Sequence, residues 1–226
     1  MPQFILPGSP SVTVHLRRST RARRLSLRVS QLDGKVTLTL PNSVAEVEAY
    51  DFALAKSDWI REHLQRRPAE EPVKIGAQIP VEGHMHRVTE GAGRRAQLQD
   101  GQILVSVQST GRRVQAYLID LARARLATAA DEYAGRVGRP YTSLTLRDTR
   151  SRWGSCSEAG RLMFSWRLIM APPEVLQYVA AHEAAHLKEM HHGPEFWDEV
   201  TRIFGPHDQH RRWLHENAGQ LHRYRF

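Results

Sequence analysis

Residues 182–186 read His-Glu-Ala-Ala-His. On a helix, positions four apart lie on one face about a turn apart. Both imidazoles can then reach a single ion, and zinc accepts nitrogen ligands at about 2.0–2.1 Å. Glu183 projects beside them, placed to polarise a water on the metal rather than to bind the metal itself. The surrounding stretch, VLQYVAAHEAAHL, is strongly apolar around these three polar residues. The motif therefore belongs on a mostly buried helix, where two histidines and a glutamate are costly without metal or hydrogen-bond partners.

Catalytic zinc usually has three protein ligands and one open position. The third ligand cannot come from continuing the same helix. Glu189 shares its face but lies about 10 Å along the axis from His182 at 1.5 Å per residue. The chain must turn first, and Gly193-Pro194 mark such a break before a new helix. That leaves His191 and His192 as candidates at the turn.

A larger pattern surrounds these residues. The stretch His-Glu-Ala-Ala-His-Leu-Lys-Glu-Met-His-His-Gly-Pro-Glu-Phe-Trp follows Arg-Trp-Gly-Ser-Cys-Ser at 152–157 and SWRL at 165–168. Together they resemble the YgjP-like metal-dependent hydrolases, zincin-fold proteins often described as metallopeptidases and similar at the active-site helix to the SprT-like proteases. RRLSLRVS, VTLTLP and Trp59-Ile60 fit the amino-terminal pattern of that family, so the resemblance spans nearly the whole chain. It implies that the third ligand is the histidine two residues before a proline, which is His192 here. His191 stands where members commonly carry asparagine.

Other chemistry-bearing residues are weaker signals. Arg150, Arg152 and Arg167 flank the strand region before the motif helix, and arginine can clamp a phosphate or a peptide carboxylate. Arg152 and Arg167 are the candidate substrate contacts; the competing reading is a solvated or ion-paired sheet face. Trp153 and Cys156 read as core packing. Tyr178, four residues before His182, reads as buried against the sheet. His84 and His86 share a strand face and read as a surface pair, and His207, His210 and His215 read as solvent-facing.

The elements that must position the site follow from periodicity. VTVHLR (12–17), LSLRVS (25–30) and KVTLTLP (35–41) alternate apolar and polar residues, with Asp33-Gly34 as a hairpin turn. A helix follows, with Ser43 as N-cap, Glu46 completing a capping box, and Phe52, Trp59, Ile60 and Leu64 facing a core. Residues 67–75 read as a loop. Short strands return around 77–88 and 96–107, the second pair turning at Asp100-Gly101. From about residue 112, VQAYLIDLARARLATAADEYAGRV predicts a long helix ended by Gly138 and Pro140. Two strands, YTSLTLRDTRS and RLMFSWRLIM, are expected next, joined by a turn near 158–160. Pro172-Pro173 open the motif helix, and further helices fit 194–204 and 207–221. The expected class is α+β: a β-rich amino-terminal region (1–110) with one helix, then a zincin-like catalytic region (111–226) with the active-site helix packed on a small sheet.

Composition bounds the rest. The 226 residues are 41% hydrophobic and 25% charged, enough for a sizeable core without disulfide staples, and the lone Cys156 excludes an internal disulfide framework. No apolar run approaches a membrane span. The start lacks the basic segment of a secretory signal. A cytoplasmic protein without a membrane partner is expected. The net charge of +8 comes almost entirely from arginine, lysine occurring only at 35, 56, 74 and 188. That charge suits nucleotides, nucleic acid or acidic peptides, yet no nucleic-acid motif accompanies it. Three functions compete. The leading one is a zinc (Zn2+) metallopeptidase acting on a peptide or protein. The second is a nucleoside triphosphate pyrophosphohydrolase on the same zinc site, without a phosphate-cradling glycine loop to support it. The third is a nucleic-acid-associated zinc protein without catalysis, which Glu183 and the open fourth position oppose.

Overall fold

The computed structural model describes residues 2–30, 34–65 and 68–226, and divides into two compact units, 1–69 and 70–226. In the first unit, β1 (Gln3–Leu6), β2 (Val12–Arg18), β3 (Ser26–Val29) and β4 (Val36–Leu40) form one sheet in the order β1-β2-β4-β3. Alternation does the work expected of it. Val12, Val14 and Leu16 point inward with Val36, Leu38 and Leu40, and β2 runs parallel to β4 in matching register. Strands β3 and β4 pair antiparallel, as the predicted hairpin requires, although Asp33 lies outside the described residues.

The helix after β4 departs from expectation at its start and middle. A turn closed from the Val44 amide to the Pro41 carbonyl takes up Ser43, so α1 (Glu46–Ala55) begins after Ala45 with no side-chain cap. The chain then breaks at Lys56, giving a second helix, α2 (Ser57–Gln65). Ala49, Ala53 and Ile60 are the fully buried contacts with the sheet core; Phe52 and Leu64 are partly buried. Trp59 is 38% exposed and stacks on His63 instead of facing that core.

The second unit opens with β5 (Glu71–Pro72), then a four-stranded sheet of β6 (Gln78–Val81), β7 (His84–Glu90), β8 (Gln97–Gln99) and β9 (Gln102–Val105). Its hairpins close at Glu82-Gly83 and Asp100-Gly101, all four residues having positive φ. That is the turn type whose twist suits a two-residue hairpin, and Gly and Asp tolerate it best. The long helix α3 (Thr110–Val137) follows and ends in a left-handed Gly138. Its buried stripe, Val114, Leu118, Ala122, Leu126, Ala130 and Ala134, repeats every four residues.

Next come β10 (Ser143–Arg147), β11 (Gly154–Cys156) and β12 (Arg161–Ser165), a sheet in the order β10-β12-β11. The two-strand reading is corrected here. The hairpin partner of β12 is the short β11, while β10 lies parallel to β12 on its other side. A fully buried 3-10 turn, Trp166–Met170, leads into α4 (Pro173–Ala185), followed by α5 (Pro194–Phe204), α6 (Asp208–His222) and β13 (Tyr224–Arg225). Strand β13 pairs with β5 and ties the two ends of this unit together. Helix α4 packs along α3, its Ala180, Ala181, Ala184 and Ala185 fully buried, and against β11. The result is a mixed α/β protein whose amino-terminal half is strand-rich. None of the described helices is long and apolar enough to cross a membrane.

Candidate metal centre

Helix α4 carries His182 and Glu183 in its last turn and stops one residue before His186. The amides of Leu187, Lys188 and Glu189 close back on Ala184 and Ala185, tightening the end of the helix. The chain then reverses through residues 189–193, where the Gly193 amide bonds to the His191 carbonyl, and Gly193 caps α5. This reversal returns His192 towards the helix face. His182 Nε2 and His192 Nε2 stand 3.1 Å apart, and the ligand atoms of His182, His186 and His192 all lie within 4.8 Å of one another. His191 is exposed and takes no part in this cluster.

The donor set fits a divalent cation. Two ligands at about 2.0–2.1 Å from a tetrahedral ion stand about 3.3 Å apart, close to the observed separation. His186 Nδ1 is 2.9 Å from the Glu189 carbonyl; donating its proton there leaves Nε2 free to bind. Burial pushes His182 down to about 3, helped by His186, His192, Arg211 and His207, and lowers His186 as well. Both rings are therefore neutral at pH 7, and an ion need displace no proton from them. The Nδ1 of His182 is buried without a hydrogen-bond partner among the described residues. Phe196, fully buried, floors the cluster, its ring centroid 4.4 Å from His186, 4.7 Å from His192 and 4.9 Å from His182.

Glu183 points to the sheet side of α4, beneath β11. It is only 6% exposed, and a Cβ on Gly154 would meet its Oε1 at 2.5 Å and its Cγ at 2.6 Å. The close approach of strand to carboxylate therefore requires glycine at 154. Burial pushes Glu183 up to about 8, opposed by the charge of Arg152 and by a hydrogen bond donated from the Cys156 backbone amide. A carboxyl group tuned towards neutrality can both take and return a proton.

A family model for the YgjP-like metallopeptidase domain matches residues 23–217. The chain belongs to this family. No curated protein and no solved structure matches it significantly. The YgjP-like match contains the three histidines, Glu183 and the strand above it, and makes the chain a metal-dependent hydrolase.

Within this YgjP-like site the arginines separate. Arg152 is exposed and its charge acts on Glu183. Arg167 does not belong to the site. It is 5% exposed, paired with both carboxylate oxygens of Asp148 at 2.6 and 3.1 Å, and bonded to the carbonyls of Leu221 and Tyr224. Its donors are spent on internal partners, which corrects its candidacy as a substrate contact. Arg150 is exposed and acts on His222. Cys156 contributes through its backbone; burial pushes its thiol up to about 11, and it packs partly buried against the core beside Trp153.

Several participants carried no sequence signal. Lys188 bonds Glu199 at 3.0 Å, and Glu199, 4% exposed, is also held by Arg202, so α5 is tied to the loop that carries His192. His207 is not solvent-facing as expected. Its ring is sandwiched between Trp197, 5.4 Å away with planes 9° apart, and Tyr178, 5.8 Å away with planes 5° apart. Tyr178 is buried, but against these rings and Phe204. His215 is exposed; His84 and His86 join no metal cluster among the described residues.

Proposed function

We propose that the chain is a zinc metallopeptidase in which His182, His186 and His192 hold the ion and Glu183 is the general base. The observation that carries this reading is the placement of Glu183 under Gly154 of β11, on the helix that presents two of the histidines. Three imidazoles without a fourth protein donor among the described residues suit a catalytic rather than a structural zinc. When bound, zinc supplies a Lewis acid that polarises the scissile carbonyl and acidifies a water. Glu183 takes the proton from the attacking water and passes it to the leaving amine. Its depth beneath β11 shields it from bulk solvent, and the Cys156 amide fixes its rotamer. Arg152, exposed beside Glu183, is positioned to contact the substrate.

Peptide is favoured over nucleotide by the sheet. β11 is the last strand of its sheet, so its outer edge can accept an extended chain by main-chain hydrogen bonds. The nucleotide reading loses Arg167 to its ion pair with Asp148. The test is a hydrolysis screen of the zinc-loaded protein against peptides and nucleoside triphosphates, beside Glu183→Gln. Peptide cleavage that disappears in the variant, with zinc retained, supports the reading. Cleavage of triphosphates alone overturns it.

A further inference from the structure

One wall of the metal centre is built from three helices and has an exposed cation left over. Trp197 of α5 lies with its ring centroid 5.7 Å from that of His182 and 5.8 Å from that of His192. Arg211 of α6 holds its guanidinium carbon 4.9 Å over the same indole. His207, the residue before α6, stacks on Trp197 and against Tyr178 of α4, completing the wall. Adding the two separations, the guanidinium of Arg211 stands no more than about 11 Å from the His182 ring, a reach of about three residues of extended chain.

Of the arginines seated over an aromatic ring among the described residues, Arg211 is the one without an ion pair. Arg136, Arg167, Arg202, Arg223 and Arg225 are all in ion pairs. Among the described residues no carboxylate lies within ion-pair distance of Arg211, not even that of Asp208 one turn before it on α6. Stacking on an indole restrains a guanidinium without consuming its N–H donors. Those donors are then preorganised for a planar anion, for which carboxylate is the bidentate match.

We propose that Arg211, seated on Trp197, is a specificity residue that holds a substrate carboxylate within about three residues of the scissile bond. The carboxylate is an Asp or Glu side chain or a peptide's own carboxyl terminus. This inference rests on the peptidase reading and names the substrate class of that site.

The test uses the full zinc-loaded chain and quenched peptides of one neutral backbone. One set has both ends blocked and a single Glu moved through the three positions on each side of the scissile bond. A second set replaces that Glu with Lys, and a third has a free carboxyl terminus at the same distances. A carboxylate at one position is expected to raise kcat/KM about tenfold or more over the neutral blocked peptide, the range of a charged arginine hydrogen bond. Arg211→Gln should bring that ratio close to one, and Arg211→Glu should turn the preference towards Lys. The Glu set identifies side-chain recognition and the third set identifies terminal recognition. No preference in the unaltered protein overturns the inference. So does an Arg211→Gln protein that slows every peptide equally, or a preference lost in Arg152→Gln but kept in Arg211→Gln. Cleavage of no peptide overturns the peptidase reading and this inference with it, whereas cleavage without preference overturns this inference alone.

Discussion

At residue 154 the backbone of a short strand passes so close to Glu183 that no side chain fits between them. Glu183 cannot yield easily, since it is buried and held by the Cys156 amide. Gly154→Ala should therefore displace the carboxylate and lower turnover about a hundredfold, the scale of a lost general base, while the three histidines keep their metal. Elemental analysis beside a rate measurement checks both halves. A variant with full activity would mean that Glu183 has room the contact denies it. The adjacent histidines give a second test. His192 meets His182 at 3.1 Å, whereas His191 is exposed and outside the cluster. His192→Ala should surrender zinc to a chelator far faster than His191→Ala, and equal retention would contradict the geometry. Spacing made His182, Glu183 and His186 legible in the sequence, because they share one helix. Gly154 was not legible as a partner of Glu183, since the two meet only across the tertiary structure. Arg167 was misread because residue type reveals a cation but not the Asp148 that neutralises it.

The decisive element is the reversal between α4 and α5. It ends the helix before His186, passes the Glu189 carbonyl to His186 Nδ1, and returns His192 to the cluster. Lys188 clamps it to α5 through the buried Glu199, which Arg202 of the same helix also holds and whose carboxyl that Arg202 hydrogen bond keeps below its ordinary range. Glu199→Gln should lower stability by about 1–3 kcal/mol, the cost of a charged hydrogen-bond network half open to solvent, and should hasten zinc loss to a chelator. Urea unfolding and a metal-release assay on the same protein decide it; stability lost without faster release would confine Glu199 to the fold. Gly193-Pro194 announced this reversal, because glycine and proline punctuate local structure wherever they stand. The strand order around the site was less legible. Periodicity revealed β10 and β12, but three residues are too few to show β11, and the parallel pairing of β10 with β12 depends on contacts distant in sequence. Ser43 failed as a cap for a local reason: the turn from Pro41 to Val44 uses it first.

Across the whole molecule, buried histidines link stability to pH. His222 lies in the second unit, its ring 5.3 Å from Trp153. Burial pushes it down to about 4, with Arg167, Arg150 and Arg225 adding to the effect and Asp148 opposing it. Unfolded, its value is near 6.5, so the unfolded chain binds more protons between these values. The stability gained by keeping His222 neutral is present above about pH 6.5 and is lost progressively as pH falls towards 4. With chelator present throughout, His222→Phe should lose less stability between pH 7.5 and pH 5 than the unaltered protein does. Parallel losses would remove His222 from the linkage. At the same scale, one metal is expected to join the end of α4 to the turn before α5 through His182, His186 and His192, while Glu183 stays free to move protons. Zinc anomalous scattering from crystals of the zinc-loaded protein tests it most directly. One peak is predicted per chain, about 2.0–2.1 Å from a nitrogen of each of the three histidines, with no bond to Glu183 and no fourth protein ligand. A peak elsewhere, a bond to Glu183 or His191, or a closed four-ligand site would contradict it.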